Sequence, residues 1–260
     1  MGIMERLRFG SRTWAKTIAV VEPSRLKNMG LTPQPQSGFG TPNDNVSRDT
    51  FKIRLAHDAA RTREARFLVE KRYGDKGYAV GKAAAPHAAC PDRITLATYK
   101  DEEVVGTLTI GFDTGSGLLV DELYKREIDA LRGEGRRVCE FTKLAIDTKR
   151  ASKRMMAGLF HIAFLYAGRI WGYTDIVIEV NPSHVAFYER MLGFQIVGPE
   201  RMCARVGAPA VLLRAESSYG QRMIREFGGR PDLARQERTL FPYFMSQDEE
   251  RAIMQRMLRE

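Results

Sequence analysis

The spacing of apolar residues predicts most of the elements before any motif is considered. Phe51, Ile53 and Leu55 alternate with Lys52 and Arg54, the two-residue period of a half-buried strand. Over residues 57–73 a helix is expected, with Ala60, Ala65, Phe67, Leu68 and Val69 available to its core side, and Gly74, Gly77, Gly81 and Pro86 open it into a loop. Residues 94–99 and 104–110 are apolar strands joined by a charged turn, which reads as a hairpin. A short amphipathic helix follows over 122–131, ending near Gly133. The run 138–146 reads as a strand, and after the polar turn 147–154 a helix presents Met156, Leu159, Phe160, Ala163, Phe164, Ala167 and Trp171 at three- and four-residue spacing. Residues 175–180 form a buried strand that Asn181-Pro182 halts. Ser183 is the expected cap of a short helix through Tyr188 and Leu192, stopped by Gly193. Residues 194–197 and 210–214 are closing strands, and 221–227 and 246–258 are tail helices.

These alternating strands and helices make a mixed α/β domain over residues 49–215. Residues 1–48 carry Pro23, Pro33, Pro35 and Pro42 with few apolar residues after Val21, the composition of an arm without a packed core. Residues 216–260 form a helical extension.

Composition narrows the partners more than the fold. A chain of 260 residues at 43% apolar buries one substantial core. No apolar run approaches the roughly 20 residues that span a bilayer, and the stretch 17–21 is too short for a signal peptide. Cys90, Cys139 and Cys203 are odd in number and lack metal-ligand spacing, and the four histidines are scattered. No metal site is expected, and a reducing, cytoplasmic location is. The net charge of +9 favours an acidic partner. It is not laid out as a nucleic-acid recognition helix or an aromatic RNA-binding sheet, so no nucleic acid is expected. Between Arg136 and Arg154 seven Lys/Arg stand against two acids. There a strand end, a basic turn and a helix start, with its unpaired N–H groups, suit a phosphate.

Four stretches carry a family resemblance: GLLVDELYKREIDALRGEGRRVCEFTKLAID over 117–147, the helix after it, EVNPSHVAFYERMLGFQIVGPER over 179–201, and GAPAVLLR over 207–214. With REARFLVEKRYGDKGY over 63–78, they resemble the GNAT acyltransferase superfamily, in particular its long-chain N-acyl amino acid synthases (the FeeM type), cousins of the acyl-homoserine lactone synthases. The resemblance implies a GNAT-like mixed central sheet flanked by helices. It implies transfer of a long fatty acyl group from an acyl carrier protein to the α-amine of an amino acid, with no tightly bound cofactor. The acyl-phosphopantetheine of the carrier is then the donor, with acyl-CoA as the alternative. Acetyl-CoA-using relatives carry a glycine-bearing pyrophosphate loop. Here the turn reads KRASKRMM, and Lys149, Arg150, Lys153 and Arg154 are expected to dock an acidic carrier protein.

Making an amide from a thioester needs a proton acceptor, an oxyanion stabiliser and a hold on the acceptor's carboxylate. Glu140, within the central strand, is the expected base; its alternative is a salt bridge to Arg136, Arg137 or Lys143. Lys143 is three residues on and reaches the same crevice only through a β-bulge. Asp121 and Glu122 could bind the acceptor's ammonium, or Asp121 could cap the following helix. By resemblance, Arg66 is a carboxylate-binding residue and Tyr188 the general acid beside the departing thiol; a surface arginine and a core tyrosine are the alternatives. Phe141 is one of several aromatic residues available to line an acyl tunnel. Cys139 and His161 read as buried and structural. Two rival functions stay open: an acetyl-CoA-dependent N-acetyltransferase, and a non-catalytic binder of lipid or carrier protein. Contact of the arm and tail with an anionic membrane also stays open.

Overall fold

The structure is a computed structural model and describes residues 17–21, 50–79 and 92–258. Cys90, most of the arm over 1–48 and the loop around Gly81 and Pro86 lie outside the described residues. In chain order the elements are β1 (Ala19–Val21), β2 (Phe51–Leu55), α1 (Ala59–Gly74), β3 (Arg93–Lys100), β4 (Glu103–Phe112), α2 (Asp121–Gly133), β5 (Val138–Ile146), α3 (Lys153–Phe164) and β6 (Asp175–Val180). Then come α4 (Val185–Leu192), β7 (Gln195–Cys203), β8 (Ala208–Glu216), α5 (Ser217–Phe227), α6 (Ala234–Glu237) and α7 (Gln247–Leu258). The eight strands form one sheet in the order β1-β2-β3-β4-β5-β6-β8-β7. Every neighbouring pair is antiparallel except β5 and β6, which are parallel.

Alternation along β5 and β6 sorts the sheet into two faces. Cys139, Ile176 and Ile178 pack toward α3, whereas Val138 and Val177 pack with Tyr124 and Ile128 of α2. On the second face, Leu68 and Val69 of α1 pack against Ala145. Glu140 and Glu179 have the parity of Val138 and Val177, so both stand on the α1/α2 face.

Four expectations change. The arm contributes a strand: β1 pairs with β2, and Val21 comes so close to α3 that a Cβ on Gly158 would lie 2.8 Å from its side chain. The helix after the basic turn is buried on nearly all sides, not along one face, because Leu240, Phe241, Phe244 and Met245 of the extension cover the rest of it. Its last turns widen into a π-helix at Leu165–Ile170, which sequence periodicity does not show. Ser152 caps its start, accepting from the Met155 amide at 3.1 Å. In the short helix region the capping side chain is Asn181, not Ser183: its Oδ1 accepts from the Ser183 amide at 3.1 Å ahead of the 3₁₀ turn Pro182–His184. On α1, Phe67 and Ala60 face solvent, and Asp58 caps the helix by accepting from the Arg61 amide.

The extension belongs to the same core. His161, fully buried in α3, accepts at Nδ1 from the Met245 amide at 3.0 Å, faces Glu250 Oε2 at 3.3 Å through Nε2 and stacks on Phe244. An Nδ1 acceptor requires the proton on Nε2, so the neutral ring joins α3 to α7. Among the described residues no helix is long and apolar enough to cross a membrane.

Candidate active site

The site opens where β5 and β6 part. They pair only from Val138–Asp175 to Glu140–Val177. Beyond that point β5 stays with β4 and β6 stays with β8, so the two facing edges diverge. The wedge holds a cleft of about 130 Å³, walled by residues 140–143 of β5, by Glu179, Val180 and Asn181, and by Cys203 and Arg205 at the end of β7. Tyr73 and Tyr78 line it from the α1 side and meet edge to face, with ring centroids 5.8 Å apart. The Ala79 amide donates to the Val206 carbonyl at 2.8 Å and so ties the end of the α1 segment to the β7–β8 turn. Burial pushes the Tyr73 phenol up to about 12, so it keeps its proton at neutral pH.

Glu140 is held by groups remote in sequence. Arg93 Nη1 donates to its Oε1 at 2.6 Å, so the ion pair is with Arg93 and not with Arg136, Arg137 or Lys143. The amides of Leu119 and Val120 donate to Oε1 and Oε2 at 3.1 and 3.0 Å. They stand immediately before α2, at the end where a helix favours negative charge. A carboxylate has about four lone-pair sites; the described residues take three and leave one on Oε2. Gly111 stands opposite in β4, and a Cβ there would lie 2.7 Å from Oε1. Glycine makes the room for this carboxylate.

The bulge that Lys143 needs is present. Between Thr107 and Thr109 of β4, the partner in β5 moves from Ala145 to Thr142, one residue more than an unbroken ladder allows. Lys143 takes φ +52°, and Thr107 Oγ1 donates to its carbonyl at 3.0 Å. The extra residue resets the alternation, so Glu140 and Lys143 line one cleft. Burial pushes the Lys143 ammonium down to about 8; Arg93 and Arg66 add to the effect and Glu140 opposes it. Phe141 also lines the cleft and meets Phe164 edge-on at 5.8 Å.

Other expected residues fall elsewhere. Asp121 accepts from the Leu118 amide at 2.7 Å and binds Arg132 through both oxygens, at 2.9 and 2.7 Å. It secures the start of α2, the second of the two roles named for it, and is not among the residues that line the cleft. Arg66 is exposed and paired with Glu70 at 2.6 Å, although its charge is felt at Lys143. Tyr188 is half-buried, edge-on to Phe187 and Phe194 and outside the cleft lining; burial holds its phenol well above the usual range. Cys139 is fully buried, and burial raises its thiol, the opposite of what a nucleophile needs. In the basic turn, Arg150 pairs with Glu103 and Arg154 lies 3.6 Å from Glu249, while Lys149 and Lys153 are exposed.

Sequence reasoning missed Arg93, Glu179 and Arg205. Arg93 carries no local signal, because it is simply the first residue of a strand. Glu179 does carry one: it is the lone carboxylate inside the apolar run Ile176 to Val180, and a charge in a buried strand needs a partner. That partner is Arg205, whose Nη2 donates to Glu179 Oε2.

A family model described as N-acyl amino acid synthase FeeM matches residues 64–216. Among solved structures, FeeM, an N-acyl amino acid synthase from uncultured soil microbes, is 27% identical with a TM-score of 0.62, covering 66% of this chain and 94% of that one. The AHL synthase LasI is 14% identical (TM-score 0.47; 64% and 90% covered). An N-acetyltransferase from Staphylococcus aureus Mu50 is also 14% identical (TM-score 0.45; 65% and 98% covered). No curated protein matches the chain. The fold is GNAT-like, as the sequence resemblance implied.

Proposed function

The chain belongs to the FeeM family of N-acyl amino acid synthases, and on that premise we propose that it moves a long-chain fatty acyl group from the thioester of an acyl carrier protein to the α-amine of an amino acid. The observation that carries this reading is that the family match spans every residue lining the cleft, from Tyr73 to Ala210. The acceptor's ammonium gives a proton to the open lone pair of Glu140 Oε2, directly or through one water. The neutral amine then attacks the thioester carbonyl carbon. Lys143 supplies positive charge as the carbonyl oxygen becomes an oxyanion. The C–S bond breaks as the amide forms, the nitrogen releases its second proton to solvent, and the thiolate leaves on the phosphopantetheine arm. Tyr188 is the proposed source of the thiolate's proton on the strength of the sequence resemblance. Phe141 and Phe164 offer apolar surface for the acyl chain.

The test is mass spectrometry of lipid extracts from bacteria expressing the protein, beside an empty-vector control. A series of masses equal to fatty acid plus one amino acid is expected and names the acceptor. An unchanged lipid profile from well-folded, abundant protein would remove the reading.

Lys143 also sets a pH dependence. Its ammonium titrates at about 8, so it is mostly charged at pH 7 and the charge is lost as pH rises through 8. The kcat–pH profile is expected to fall on that alkaline side. Lys143→Arg, whose guanidinium stays charged, is expected to remove the fall even if it lowers the maximum. The same limb in the variant would assign the titration to another group.

Donor docking belongs to Lys149, Arg150, Lys153 and Arg154 around the start of α3. Because Arg150 and Arg154 already face acids of this chain, the two exposed lysines contribute most of the field. The double variant Lys149→Glu, Lys153→Glu is expected to weaken carrier-protein binding roughly tenfold at low ionic strength, and much less in high salt where screening shortens the field. Equal affinities at low salt would sink the docking assignment.

A further inference from the structure

Two side-chain atoms on the cleft wall are buried and lack a hydrogen-bond partner among the described residues: Glu179 Oε1, an acceptor, and Arg205 Nε, a donor. They belong to one ion pair, since Arg205 Nη2 donates to Glu179 Oε2. Both side chains are largely buried, 15% and 16% exposed, so water does not simply replace the missing partners. Buried polar groups are otherwise satisfied almost throughout folded proteins. An ion pair lining a cleft with one open acceptor and one open donor is therefore the half-finished side of a binding site.

The charges decide the ligand class. A lone anion reaching Arg205 would also meet Glu179 and Glu122, and a lone cation reaching Glu179 would meet Arg205. Only a ligand with a cationic donor and an anionic acceptor a few ångströms apart avoids repulsion at both ends. An α-amino acid zwitterion has that arrangement. Glu122 adds a second sign of it: its carboxylate lies 3.1 Å from Arg205 Nε without the geometry of a hydrogen bond. It is exposed, so a ligand carboxylate can take its place at little desolvation cost. Burial pushes the Glu179 carboxyl above its ordinary value, a shift that an arriving ammonium would oppose.

We propose that Glu179 and Arg205 form the acceptor subsite, Glu179 holding the ammonium and Arg205 the carboxylate of the incoming α-amino acid. The proposal rests on the reading of the cleft as an acyl-transfer site. It leaves Glu140 to take the proton and Lys143 to face the oxyanion.

Calorimetric titration of the full chain, without donor, with each of the twenty amino acids tests it. For the best ligand, three analogues follow: the methyl ester and the decarboxylated amine, which lack the carboxylate, and the N-acetyl derivative, which lacks the ammonium. Each analogue is expected to bind wild-type protein at least tenfold more weakly, a comparison that needs no mutant to fold. In Arg205→Gln the preference over the methyl ester is expected to vanish, and in Glu179→Gln the preference over the N-acetyl derivative. If the wild type makes N-acyl amino acid but treats ligand and analogues alike, or if both folded variants keep the wild-type preferences, the subsite is wrong while the acyl-transfer reading stands. If no amino acid binds and none is acylated, that reading falls and the subsite with it. Zwitterion-selective binding without product would uphold the subsite and place the fault with the donor.

Discussion

Glu140→Gln is expected to lower turnover by about 10²- to 10⁴-fold, the range that a positioned general base contributes, with little change in donor affinity. Glutamine has the size of glutamate but cannot take up the acceptor's proton. It also meets the surrounding donors badly. Arg93 and the amides of Leu119 and Val120 all point hydrogens at this carboxylate, and an amide offers them one oxygen and one NH₂ in place of two oxygens. Some loss of stability therefore accompanies the loss of rate, and a melting curve separates the two. In the lipid extracts, the masses present with wild type are expected to disappear. A variant that melts lower but turns over at the wild-type rate would leave Glu140 as an anchor for the start of α2 and nothing more.

The largest expected effect on stability is at Gly193, which ends α4 in the left-handed region at φ +73°. A Cβ there would lie 2.2 Å from Cε1 of Tyr219, on the extension helix α5. Gly193→Ala thus combines a left-handed L-residue, about 1–2 kcal/mol, with overpacking of about 1–3 kcal/mol. Together these destabilise by roughly 2–5 kcal/mol, and each kcal/mol lowers Tm by about 2–4 °C in a chain of this size. Denaturant unfolding measures the change. Adding Tyr219→Ala is expected to recover the packing part and leave the backbone part. A wild-type midpoint for Gly193→Ala would mean that the contact between α4 and α5 gives way easily.

Strands whose neighbours in sequence define them were legible. Residues 138–146 and 175–180 were expected as strands with the bounds they have, because a run of apolar residues ended by a basic turn or by Asn-Pro marks a strand locally. The need for a bulge at Lys143 was legible too, from simple parity between Glu140 and Lys143. What failed was any inference that required knowing the other side of a contact. Ala19–Val21 looked like part of an arm because three residues carry no period, and only β2 makes them a strand. Phe67 reads as a core residue by hydrophobicity, yet it lies on the side of α1 that no described element covers. The helix after the basic turn showed one apolar face, because the residues that bury its other faces come some 80 positions later.

The site divides the same way. Glu140 and Lys143 were legible as a pair because they share one strand, and parity within a strand says what would bring them to one face. Asp121 reads locally as either a ligand for the acceptor or an anchor of the following helix, since nothing near it announces Arg132 eleven residues on. The partners of the buried carboxylates, Arg93 for Glu140 and Arg205 for Glu179, lie 47 and 26 residues away. By itself the sequence determined the order of elements from β2 to α5, the basic helix start and the family, all of which are written in patterns a few residues long. Tertiary structure alone decided where β5 and β6 part and which charges meet in the gap. Hydrogen bonds and ion pairs act over about 3 Å in space, and distance along the chain does not constrain them.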